Sequence, residues 1–114
     1  MKNVIVVGCG AYMSSGYGCP GEWRCLKAAT IGEGKFSKPA NVTAFVRCEC
    51  PGRATVKNMT LALKQSDVEV DAIHLSSCMV KPKPACPHAS ADEWAQMIEM
   101  NTGIPVVQET HDYH

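Results

Sequence analysis

NVIVV, at Asn3 to Val7, is a short run of mostly β-branched side chains closed by Gly8, Cys9 and Gly10. A run this brief and this continuously apolar reads as a strand buried on both faces, which is what a parallel sheet requires. Three further runs share its character: Val42 to Val46 (VTAFV), Val70 to Leu75 (VDAIHL) and Ile104 to Val107 (IPVV). Strands of this kind cannot be joined by tight turns, because parallel neighbours need a crossover between them.

The stretches between the strands supply those crossovers. Pro20 to Ile31 reads as a helix with Trp23, Leu26 and Ala29 on one side, and Pro51 to Gln65 as a second with Val56, Met59 and Leu63 at near-helical spacing. The third is the clearest. Ser90 and Glu93 have the spacing of a capping box, Trp94, Met97 and Ile98 form an i, i+3, i+4 stripe, and Gly103 follows as a stop. Gly32 to Asn41 (GEGKFSKPAN) reads as a surface loop, and the KPKP of Lys81 to Pro84 as a second. The order β-α-β-α-β-α-β predicts an α/β fold, a small three-layer sandwich around a four-stranded parallel sheet. Right-handed crossovers leave few topologies, of which the flavodoxin-like strand order 2-1-3-4 is expected.

With 114 residues the chain is expected to form a single domain over 1–114. Eleven basic and eleven acidic side chains balance, so the basic surface that nucleic acid or an anionic membrane would require is not expected. No apolar run approaches the ~20 residues of a membrane span. The amino-terminal run is too short for a signal-peptide core and has no cleavage site after it, so it reads as the first strand of a cytoplasmic protein.

Seven cysteines stand against this ordinary background: Cys9, Cys19, Cys25, Cys48, Cys50, Cys78 and Cys86. An odd number cannot all pair internally, and in a reducing compartment such a set points to metal or thiol chemistry. The competing explanation is that buried cysteine acts as a small hydrophobe. Position argues against it. Cys9 follows the first strand, Cys48 and Cys50 the second, Cys78 the third, and His111 comes soon after the fourth. In a parallel sheet all of these lie on the carboxyl edge, where open α/β folds bind ligands.

Proline follows Cys19, Cys50 and Cys86. Proline suits the first position of a helix, which leaves the preceding cysteine at the N-cap, where amide donors and the helix dipole favour thiolate. Thiolate is the form that binds metal. The gaps Cys19-x5-Cys25, Cys48-x-Cys50 and Cys78-x7-Cys86-x-His88 are not those of a zinc finger, but ligands gathered from separate strand ends need no regular spacing. Mixed sulfur and imidazole ligands suit zinc, whereas a thiolate-only subset suits an iron–sulfur cluster. His88 is the foremost ligand histidine and His111 the next. His74, inside the third strand, reads as an interior histidine.

A dinucleotide site is a further possibility raised by VIVVGCG, but Met13 stands where the third glycine of the fingerprint belongs and Pro20 starts the helix too late.

Taken together, Cys9, the CPGEWRC of Cys19 to Cys25, FVRCECPGR after the second strand, LSSC at Leu75 to Cys78, the ACPH of Ala85 to His88 and the late His111 resemble the CGGC-domain family of small prokaryotic proteins. The resemblance implies metal binding and leaves any reaction open. The family's CGGC-P-G aligns with Arg47 to Gly52, so that Cys50 matches the second cysteine, Arg47 stands at the first, and Cys48 is displaced by one.

The expected ligands are Cys9, Cys50, Cys78 and Cys86 with His88 or His111, and Cys19 and Cys25 form a second tier. Alternatives are an iron–sulfur or dithiol redox protein, in which Cys48 and Cys50 would exchange, and a hydrolase or lyase with an open zinc position. For the last of these the sequence places no carboxylate base.

Overall fold

In a computed structural model of the chain, which describes residues 2–10, 23–48, 54–65, 67–76, 80 and 89–110, four parallel strands form one sheet. The strands are β1 (Lys2–Cys9), β2 (Ala40–Cys48), β3 (Ala72–Leu75) and β4 (Val106–Gln108). They alternate with helices α1 (Trp23–Ile31), α2 (Thr55–Gln65) and α3 (Ala91–Thr102). The strand order is β2-β1-β3-β4, as the sequence predicts. The starts expected for the first two helices, at Pro20 and Pro51, lie outside the described residues.

Alternation along β1 divides the interior. Ile5 and Val7 pack with Met59 of α2 and with Trp94 and Ile98 of α3, whereas Val4 packs with Ala28 and Ala29 of α1 and with Phe36. The sheet therefore has two helices on one face and one on the other. Val4 to Val7 are all almost completely buried, which explains why their sequence shows no polar alternation.

Strand β2 does not keep one parity throughout. Val4 pairs with Val42, but Ile5 pairs with Ala44, so Thr43 is an extra residue in the ladder. Upstream of this bulge Ala40 and Val42 face α1; downstream Ala44, Val46 and Cys48 face α2 and α3. One inserted residue reverses every following side chain, because strand periodicity is two.

The helices depart from the expected stripes in two places. Among the described side chains of α1 Cys25, Ala28 and Ala29 are buried and Leu26 is exposed; the side chain of Trp23, also expected on the stripe, lies outside the described residues. Small side chains on the buried face let the helix lie close to the sheet, and Leu26 falls outside that contact. In α3 Trp94 and Ile98 are buried and Met97 is exposed. The expected surface loop at Gly32 to Asn41 also contributes to the interior: Phe36 is buried, and Ala40 and Asn41 belong to β2. Gly32 turns the chain out of α1 at φ 74°, where a Cβ would meet the backbone of Lys38 and Pro39 at 3.0 Å. Only glycine satisfies both constraints.

The capping box of α3 is complete. Ser90 Oγ accepts from the Glu93 N–H at 3.2 Å, and the Ser90 N–H donates to Glu93 Oε1 at 3.1 Å. Gly103, at φ 72°, closes the helix with its N–H on the Glu99 carbonyl. Ser90→Ala is expected to lower unfolding free energy by about 1 kcal/mol in urea titration, since two amide donors lose their partner arrangement.

Candidate metal centre

Cys9 and Cys48 are the last residues of β1 and β2, and they are register partners. Parallel neighbours lie about 4.8 Å apart. Because the Thr43 bulge reverses the second half of β2, Cys48 shares the face of Cys9, and both adjoin the cluster formed with α2 and α3. Cys48 is buried, Cys9 is half-buried, and neither is joined in a disulfide. The shifted cysteine of the C-x-C-P-G segment is thus aligned with the first-strand cysteine.

Cys9 borders the switch in strand order, which lies between β1 and β3, and Cys48 ends β2 on the other side of β1. From β1 the chain crosses one way to β2, and from β3 it crosses the other way to β4. In open α/β sheets the crevice at such a point is where ligands bind. Strand β3 reaches the same edge at Leu75 and Ser76, with the Ser76 N–H on the Val7 carbonyl at 2.8 Å.

Arg47, standing where the family motif has its first cysteine, points to the other face. Its Nη2 donates to the Gly10 carbonyl at 3.2 Å and so fixes the chain as it leaves β1. Cys25 is also on that other face, on α1, where the buried Thr110 hydroxyl donates to its Sγ at 3.2 Å. The sheet separates it from Cys9 and Cys48.

Cys19, Cys50, Cys78, Cys86, His88 and His111 lie outside the described residues. Among the described residues no three of the Cys, His, Asp and Glu side chains gather as a metal-holding group. Those residues bring together two of the expected sulfurs, Cys9 and Cys48, and set Cys25 apart.

The donor set can be tested for its fit to a metal. Paired sulfurs at one rim are soft ligands of the right class for zinc or an iron–sulfur cluster. Thr55, the first residue of α2, has a buried Oγ1 with no hydrogen-bond partner among the described residues, which is costly for a hydroxyl. The residues fit the group. Sequence reading passed over Thr55; its signal was a hydroxyl residue opening a helix just after C-P-G.

His74 behaves as the interior histidine expected of it. It is buried, its Nδ1 lies 3.1 Å from the Glu109 carbonyl, and its ring stacks on Phe36 with centroids 4.1 Å apart. Burial pushes its pKa below the ordinary value; the bond to Glu109 opposes this, and the Lys2 ammonium adds to it. With the folded pKa lowered, the unfolded chain binds the extra proton first. Stability is therefore complete above the unfolded value of about 6.5 and is lost as pH falls from there through the folded pKa. Thermal melts from pH 7.5 to 5 should show this loss, and His74→Gln should flatten that part of the profile.

These features define a small α/β protein with a pair of sulfurs at the carboxyl ends of two neighbouring strands of its sheet. The CGGC-domain family model matches residues 3–111, and the chain belongs to that family. It is 31% identical to an uncharacterized protein of Methanocaldococcus jannaschii over 115 aligned positions, covering 96% of this chain and 86% of the relative. No solved structure matches it. Among the described residues no helix is long and apolar enough to cross a membrane.

Proposed function

We propose that the protein binds a metal ion, zinc in preference, in a Cys/His site at the carboxyl edge of its sheet. The register of Cys9 with Cys48 is the observation that carries this reading. Two sulfurs side by side at the carboxyl edge, with Cys9 bordering the switch in strand order, would form half of a tetrahedral thiolate site. In this reading Cys50, Cys78 and Cys86, with His88 or His111, supply the remaining ligands, and Cys19 and Cys25 stay in the second tier. When bound, zinc would cross-link the loops at that edge and, with an open position, act as a Lewis acid. The protein's own part is to hold Cys9 and Cys48 side by side as thiolates. The reading suits a cytoplasmic protein, where thiols stay reduced.

A second reading rests on the same pair. A Cα separation of about 4.8 Å falls within the range that a disulfide bridges. Cys9 and Cys48 would then serve as a redox dithiol, or as two thiolates of an iron–sulfur cluster. Elemental analysis of protein purified without oxygen separates these. About one zinc per chain in colourless protein supports the first reading. Brown protein with acid-labile sulfide supports the cluster. Metal-free protein whose melting temperature is unchanged by added zinc or iron counts against metal binding of either kind.

A further inference from the structure

A cavity of about 690 Å³ opens on the α1 face, and it lies at the opposite end of the strands from Cys9 and Cys48. Its rim includes Lys2, Ala40 and Ala72, the first residues of β1, β2 and β3, together with the Lys35 to Pro39 loop. Its inner wall is formed by Val4, Phe36, His74 and Val107. The volume is in the range that takes a whole small molecule rather than a lone inorganic ion.

Charge in this cavity is one-sided. Lys2, Lys35 and Lys38 face a single carboxylate, Asp71, in a chain that is neutral as a whole. Asp71 is already engaged, since its Oδ2 accepts the Asn3 N–H at 2.8 Å and completes the start of the β1 ladder. His74 adds a polar atom at depth. With Nδ1 donating to the Glu109 carbonyl, Nε2 is left as the ring's acceptor. The wall is held firmly on both sides: Phe36 stacks on the His74 ring, and the Lys35 N–H donates to the Thr110 carbonyl at 3.2 Å.

We propose that this cavity binds a small organic anion, its apolar body against Val4, Phe36 and Val107 and its phosphate or carboxylate on Lys2, Lys35 and Lys38. A loop that was only a connector would not need to bury Phe36 against a histidine while leaving two lysines at the mouth. The site is independent of the metal reading, because it shares no residue with the cysteine edge.

Three probes test the proposal on the full chain, followed by amide and His74 ring signals in NMR. They are phenyl phosphate, inorganic phosphate and benzyl alcohol, which present body and anion together, anion alone and body alone. Phenyl phosphate should bind tightest, with shifts confined to Lys35 to Ala40, Ala72 to His74 and Val107. The double variant Lys35→Gln, Lys38→Gln should weaken it about tenfold or more, since two exposed charges are removed without touching the core. The variant's unchanged amide spectrum elsewhere checks that it folds. The proposal is overturned if phenyl phosphate leaves these signals unmoved at millimolar concentration, if the double variant binds it equally well, or if inorganic phosphate binds as tightly.

Discussion

Cys9→Ala is expected to weaken zinc binding about a hundredfold, and Cys48→Ala by a similar factor. Structural zinc is held with about 10–16 kcal/mol at neutral pH, so one ligand of four contributes about 3 kcal/mol, or about two decades in affinity. Competition with a chromophoric chelator reads the change directly. In the proposed site Cys50→Ala and Cys78→Ala should lower metal content as strongly, because in the sequence they come soon after β2 and β3. Cys25→Ala should act differently. It removes the sulfur that accepts the buried Thr110 hydroxyl, so its main effect should be on stability, with most of the metal retained. Equal metal retention in Cys9→Ala, Cys50→Ala and Cys25→Ala would leave no basis for the ligand assignment.

Insertion of one alanine between Ala44 and Phe45 carries the next largest effect. The added residue must either form a second bulge or turn Phe45 to Cys48 over. In the second case Val46 and Cys48 leave the face of α2 and α3. Lost valine burial and a disturbed ladder should then cost about 2–4 kcal/mol in unfolding free energy. Urea unfolding measures it. Cys48 also parts from Cys9, so zinc affinity falls with stability. Deleting Thr43, by contrast, leaves Val42 opposite Val4 and Ala44 opposite Ile5, so every later side chain keeps its face. An insertion variant as stable as the parent would mean that register has no part in placing these side chains.

Local signals in the sequence carried most of the fold. NVIVV could be read because a strand covered on both faces shows no polar alternation, and Ser90 with Glu93 because a capping box is contained within four residues. Strand order then followed from the handedness of crossovers, which depends on backbone twist and not on side-chain detail. What stayed hidden depends on contacts between distant segments. The Thr43 bulge changes which face the even-numbered residues of β2 cover, a change that shows only against the register of β1. Cys48 is displaced by one from the family motif, and its alignment with Cys9 follows from that register. Leu26 and Met97 fitted their helical stripes by spacing, yet both are exposed. The basic cavity joins the starts of three strands to a loop, and no single stretch of sequence displays it. That Cys9 and Cys48 end at the carboxyl edge was legible, because it follows from strand direction alone.

X-ray absorption at the zinc edge, on protein loaded with one equivalent of zinc, tests the metal centre most directly. The account predicts a shell of at least two sulfurs at about 2.3 Å, reduced in sulfur count in the Cys9→Ala, Cys48→Ala double variant. A shell made only of nitrogen and oxygen, or a sulfur count unchanged in that variant, would contradict it.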